Sequence, residues 1–303
     1  LASTYERYSV DIGDGRTVDV FNIKNTSQTA TLNGMETTLR HITNELRTEA
    51  KLPEDWKPNI LIAQPGLGSS AYAERRNFAK MAFSSGKDFV ISTDTTDKFQ
   101  WGIKAPIIDE DVARRIERTV VASNRVFGSA PDLLVESQAS RLLGKPQHGS
   151  VTLSSLFEQG KIHTDFKVNR CIAVGVPFYD MKVNDQLKSD RFKDIVSFST
   201  KYTMTGIVPN APLPGISNIE LTLPKGKPPT HGSLFAEKWP SRMANPVPDL
   251  EGMYIRGMDV KVVQDYAINN MGKPRMYTTG VGDPATTHLS MATMTRRGLT
   301  DPY

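Results

Sequence analysis

Ser137 ends an apolar run, Pro131-Asp132-Leu133-Leu134-Val135-Glu136, and opens a polar one, Gln138-Ala139-Ser140. A serine between an extended segment and a helix can present its hydroxyl as a nucleophile. The hydroxyl is weak by itself; it needs a base to take its proton, and the base needs an acid to orient it. The chain holds five histidines: His41, His148, His163, His231 and His288. Only His288 follows a late strand-like run, Arg275 to Thr279, and His231 is its best rival. Asp259, Asp265 and Asp283 are carboxylates on the same stretch. A reacting carbonyl also needs two N–H groups aimed at its developing negative oxygen. The run Gln64-Pro65-Gly66-Leu67-Gly68-Ser69-Ser70 has glycines that let amides turn inward. It lacks the spacing and the lysine of a phosphate-binding loop. Each feature also has a plain reading, since serines end strands and glycines permit tight turns without any chemistry.

The elements that must position these residues are predicted by the hydropathy pattern. Tyr8 to Ile12 and Val18 to Ile23 alternate around Gly13-Asp14-Gly15, which predicts a hairpin. Glu36 to Ala50 reads as a polar surface helix. From Pro58 the rhythm becomes strand–helix–strand–helix. Asn59 to Ala63 is a buried strand, Ala71 to Ser84 a helix closed by Gly86, and Asp88 to Ser92 a strand. Asp109 caps a helix over Glu110 to Phe127, closed by Gly128-Ser129. Asp132 to Val135 is the strand that delivers Ser137, and Arg170 to Val176 is another. Alternation of this kind predicts an α/β fold with a mostly parallel sheet covered on both faces.

The rhythm breaks between about Asp180 and Asp249. A helical stretch is expected around Arg191 to Tyr202, and nine of the nineteen prolines then fall between Pro209 and Pro248. This argues for an inserted cap or lid over residues 180–249, with residues 1–179 and 250–303 forming the core domain. A surface excursion with no role is the alternative. Phe192, Phe198, Tyr202, Phe235 and Trp239 would form either a pocket wall or the lid's own core. The sheet then resumes with Gly252 to Arg256 and Arg275 to Thr279.

A chain of 303 residues can bury a full core, and 38% apolar with 23% charged residues is the composition of an ordinary soluble globular protein. The net charge of +4 is spread over 37 basic and 33 acidic residues, with no basic tract, which argues against nucleic acid as a partner. Cys171 is the sole cysteine, so neither an intrachain disulfide nor a cysteine-based zinc site is available. No apolar stretch reaches membrane-span length, and no basic-then-apolar signal pattern opens the chain. The chain begins at Leu1 rather than Met, as it would either after removal of a leader or if the sequence starts internally, so the compartment stays open.

Taken together, Ile60 to Asp94, Val112 to Ser140, Cys171 to Phe178 and Met253 to His288 resemble the α/β-hydrolase family over roughly two thirds of the chain. That family's nucleophile elbow reads Gly-x-Ser-x-Gly and holds its serine in a strained turn above the sheet. Here the elbow reads Val135-x-Ser137-x-Ala139. The resemblance implies Ser137 as nucleophile, His288 as base and then acid, and Asp259 as the orienting carboxylate. The 29 residues from Asp259 to His288 leave room for one helix and one strand. It further implies oxyanion amides from Gln138 and Leu67. The activity implied is hydrolysis of an ester or amide, of a small or lipid-like molecule, through an acyl-serine, with neither cofactor nor metal. Val135 departs from the family's glycine, and crowding at such a site typically costs about 1–3 kcal/mol. Gln64-Pro65 stands where the family commonly has a histidine. The other function class is a protein that keeps the hydrolase scaffold without catalysis, for binding or within a larger assembly.

Overall fold

Tyr5–Gly13 (β1) and Arg16–Ile23 (β2) form the expected antiparallel hairpin, with Val10 opposite Val18 and Gly15 at φ 69° in the turn. The structure, a computed structural model, describes residues 3–13, 15–66, 68–84, 86–93, 99–101, 106–147, 149–175, 182–200, 216–222, 259–265 and 275–278.

The first helix, Leu32–Ala50 (α1), begins four residues before the expected start because Thr31 accepts from Gly34 N. Ile60–Gln64 (β3) leads through the glycine loop to Arg75–Ser84 (α2) and then to Phe89–Thr93 (β4). Phe99–Trp101 (β5) and Pro106–Ile108 (β6) make a small separate hairpin. Glu110–Phe127 (α3) has the predicted ends: Asp109 accepts from Asp111 N, and Gly128 closes it at φ 68°. Asp132–Glu136 (β7) runs into a 3-10 helix, Ser137–Leu143, followed by Leu153–Glu158 (α4) and Val168–Val174 (β8). Asp185–Arg191 (α5), Phe192–Thr200 (β9), Ser217–Thr222 (β10), Asp259–Asp265 (β11) and Arg275–Thr278 (β12) complete the described elements.

The main sheet has the order β1-β2-β4-β3-β7-β8-β9-β10-β11-β12 among the described residues. From β2 to β10 every neighbouring pair is parallel, while β1, β11 and β12 pair antiparallel with their neighbours. The result is a mixed, mostly parallel α/β sheet. Its central strands are buried on both faces because successive side chains alternate. Ile60, Ile62, Leu133 and Val135 pack with α1 and α3 on one face. Leu61, Ala63, Val90 and Leu134 pack with Phe78, Ala79, Met81 and Ala82 of α2 on the other.

Two expectations change. The stretch expected to be helical around Arg191 to Tyr202 is instead a helix end followed by β9, which pairs with β8. Phe192 is core and meets Phe166 edge-on at 5.9 Å, rather than walling a pocket. Within the supposed lid, residues 192–200 and 217–222 are therefore strands of the main sheet. The β-branched and aromatic content of Phe192 to Thr200 suits a pleated surface, and an available partner edge at β8 decides the outcome. The remaining parts of 180–249 other than 182–191 and 216 lie outside the described residues, as do the expected strand at Met253 to Arg256 and the lid aromatics Tyr202, Phe235 and Trp239.

Candidate active site

Ser137 has φ 52°, in the left-handed region. Lys51, at the end of α1, is the other non-glycine residue with positive φ among the described residues. Holding a side-chain-bearing residue there costs about 1–2 kcal/mol, so the surroundings must impose it. They do so from both sides. Glu136 is still extended, at φ −106° and ψ 135°, and the 3-10 helix begins at Ser137 itself. Ser140 Oγ donates to the Ser137 carbonyl at 2.5 Å, which fastens the turn from the helix side.

The strand next to β7 is β3, with Gln64 opposite Val135. The glycine loop therefore leaves the sheet beside the Ser137 turn. A Cβ on Gly66 would lie 2.8 Å from Ser137 Cβ and 2.9 Å from the Glu136 carbonyl oxygen. Glycine is required here by contact with a neighbouring backbone. The loop's root is fixed by Ser92 Oγ donating to Ala63 O at 2.8 Å and Thr93 Oγ1 donating to Gln64 Oε1 at 2.8 Å. Ser69 N donates to Gly66 O at 3.2 Å and tightens the loop itself.

Topology makes this the point where a ligand would enter. After β3 the chain crosses by α2, on one face, to β4. After β7 it continues by the 3-10 helix and α4, which pack on the other face, to β8 on the opposite side. Adjacent parallel strands whose connections diverge open a crevice at their carboxyl ends, where open α/β sheets bind ligands. Gly66 and Ser137 flank that crevice.

The expected crowding at Val135 does not block the turn. Val135 is fully buried in the α1/α3 core together with Ala139, and Ser137 still adopts its left-handed conformation. The close approach that demands a glycine falls on Gly66, one strand over. Gln138 is 6% exposed, and its Oε1 accepts from Arg141 Nη1 at 3.4 Å. Burial lowers the pKa of the Arg141 guanidinium. Arg141 also donates from Nη2 to Ser150 Oγ at 3.4 Å.

Beneath the turn, Glu136 points to the α2 face, 8% exposed. Its Oε2 is buried and meets no N–H or hydroxyl donor. The charge of Glu74, at the entrance to α2, acts on this carboxyl. Burial, with the Glu74 charge adding to it, raises the Glu136 pKa well above the ordinary carboxylate range. Glu74 in turn accepts from Ser69 Oγ at 2.9 Å and from Asn77 Nδ2 at 2.8 Å. Sequence reasoning missed this buried carboxyl because a glutamate ending an apolar run reads as the first exposed residue.

Asp259 is the first residue of β11, opposite Thr222, rather than on a loop after a strand. Because β11 is antiparallel to β10, Asp259 lies at the same sheet edge as Ser137. It is four strands from β7, roughly 19 Å at about 4.8 Å per strand. Leu67 and His288 lie outside the described residues. The two described histidines are elsewhere: His41 is exposed on α1, and His163 precedes β8 at the opposite sheet edge, 2.8 Å from Arg125 Nη2.

Cys171 is fully buried in β8, where burial raises its thiol pKa well above the ordinary value. Two surface cavities of about 240 and 180 Å³ lie away from the crevice, one by Trp56 and Phe127 and one by Arg118 and His163. Among the described residues no three histidine, cysteine or acidic side chains converge as a metal site would require, and no helix is long and apolar enough to cross a membrane. No protein-family model, curated protein or solved structure matches the chain.

Proposed function

We propose that the chain is a serine hydrolase of the α/β-hydrolase kind, cleaving an ester or amide with Ser137 as nucleophile. The left-handed Ser137 at the carboxyl end of a central parallel strand, packed on Gly66 at the divergence of β3 and β7, carries this reading. Strained conformations persist where the fold over-determines them, and a serine lifted out of the strand line is the geometry of a nucleophile elbow. In the proposed reaction the Ser137 hydroxyl attacks the substrate carbonyl while His288 takes its proton. The resulting oxyanion is held by the N–H groups of Gln138 and Leu67. His288 returns the proton to the leaving group, and water then hydrolyses the acyl-serine.

Asp259 is the least supported member of this set. A histidine within hydrogen-bond reach of Ser137 cannot also touch a carboxylate roughly 19 Å away in the sheet. That spacing favours a second reading, a hydrolase-like scaffold that binds or assembles without catalysis. A fluorophosphonate probe separates the two. The catalytic reading expects covalent labelling of the intact chain at Ser137, abolished in Ser137→Ala. A folded protein whose Ser137 is never labelled would establish the scaffold reading.

A further inference from the structure

We propose that the cavity between α1 and α3 binds a small organic acid, its carboxylate on Arg114 and Arg118 and its short apolar body against Leu32 and Val121. The cavity, about 180 Å³, is lined by these four residues together with Glu117 and His163. It is bounded by the start of α1, the middle of α3 and the loop before β8. That places it away from the crevice at Ser137, and nothing in the proposal depends on Ser137 being a nucleophile.

Arg118 is the anchor. A guanidinium carries five N–H donors. That of Arg118 is half-buried, donates from Nη1 to Thr29 O at 3.2 Å, and has no ion pair among the described residues. The surrounding carboxylates are turned to other groups. Glu117 accepts from His163 N at 3.1 Å and from Arg114 Nη1 at 3.4 Å. Asp111 pairs with Arg115 at 2.9 Å, and Asp165 with Arg125 at 2.8 Å. Arg114 reaches Glu110 and Glu117 at 3.4 Å each, long for charge-assisted bonds, and its shorter bond is to the Lys161 carbonyl at 3.0 Å. Both arginines therefore keep donor capacity at the cavity wall.

The charge on the ligand follows from the lining, which sets the two guanidiniums of Arg114 and Arg118 against the one carboxylate of Glu117. Arg125 Nη2 can only donate, so His163 Nε2, 2.8 Å away, accepts without a proton and the ring adds no charge. One positive charge is left over, which a monoanion balances and a phosphate dianion exceeds. The planar fork of a guanidinium also matches a carboxylate. The first turn of α1 holds no acidic residue, so its positive end adds to the same field. The volume equals that of about six waters at about 30 Å³ each, enough for a carboxylate with a short carbon chain. Leu32 and Val121 give that chain an apolar wall.

The test is titration calorimetry on the full-length chain at neutral pH and fixed ionic strength, with sodium butyrate as the probe. Butyramide serves as the uncharged isostere and inorganic phosphate as the anion without a carbon chain. Wild type should bind butyrate saturably, one per chain, with a Kd in the millimolar range or tighter, and should bind butyramide and phosphate at least about tenfold more weakly. Arg118→Gln should weaken butyrate at least about tenfold, the worth of one charge-assisted hydrogen bond. Circular dichroism checks that the variant is folded; if it is not, Arg114→Gln, whose side chain is 31% exposed, gives the same reading. No saturable binding of butyrate to wild type overturns the proposal. Equal binding of butyramide overturns the recognition of a carboxylate, and stronger binding of phosphate overturns the organic acid. Butyrate affinity unchanged in the folded arginine variant places the acid elsewhere, the Ser137 crevice included, and overturns the site.

Discussion

Gly66→Ala is the most informative single substitution. The new methyl carbon would stand 2.8 Å from Ser137 Cβ and 2.9 Å from the Glu136 carbonyl oxygen. Carbon atoms in contact prefer about 3.5–4.0 Å, so roughly 1 Å of overlap must be relieved. Neither neighbour is the free end of a flexible side chain. The loop and the turn must therefore separate, and the expected loss is about 1–3 kcal/mol. For a chain of this size that corresponds to about 2–4 °C in melting temperature for each kcal/mol. A displacement near 1 Å at a nucleophile can lower its reactivity about a hundredfold, so fluorophosphonate labelling should fall far more steeply than stability. A double-mutant cycle sharpens the test. In a Ser137→Gly background one of the two clashing atoms is gone, so Gly66→Ala should destabilise less there, with a coupling on the order of 0.5 kcal/mol or more. Full labelling and a wild-type melting temperature in Gly66→Ala, or strict additivity in the cycle, would refute contact between the loop and the turn.

Ser137→Gly should be more stable than Ser137→Ala by about 1 kcal/mol, because glycine alone adopts φ 52° without strain; equal urea midpoints would show that the turn is unstrained. Glu136→Gln should gain stability over wild type as pH rises. A carboxyl whose folded pKa is raised contributes stability that is fully present below its unfolded value near 4.5 and is lost as pH climbs through the folded one. The slope is at most about 1.4 kcal/mol per pH unit, checked by denaturant titration at several pH values. Asp132→Ala should cost about 3–5 kcal/mol, because it strands the largely buried Lys87, 3.3 Å away, and removes the acceptor of Asn169 Nδ2 and Arg170 N; a loss below 1 kcal/mol would contradict this. Asp109→Ala should cost about 1 kcal/mol through the cap of α3, read by thermal melting.

Local chemistry made much of the framework legible. The ends of α3 are written in Asp109 and Gly128, and the first hairpin in the alternation around Gly15. Strands β3, β4, β7 and β8 are visible as apolar runs within two residues of their ends. Phe192 to Thr200 reads wrongly as helix, because its charged residues mask the pairing that β8 supplies. Ser137 and the glycine loop are also legible, as a break in one apolar run and a glycine cluster after another. Val135 looks more obstructive in the sequence than it is in the fold, since crowding depends on which face a side chain takes and what stands there. The burial of Glu136 has no sequence signal at all.

What the sequence determined by itself was the order of elements and the placement of a serine and a glycine loop at strand ends, since hydropathy period and caps act over a few residues. Only the tertiary structure set β3 beside β7, with their connections leaving by opposite faces. That neighbourhood gave Gly66 its contact with Ser137, buried Glu136 beneath the turn, and set Asp259 four strands away. Strand order is fixed by which surfaces bury best together, a sum over the whole core that no short segment encodes.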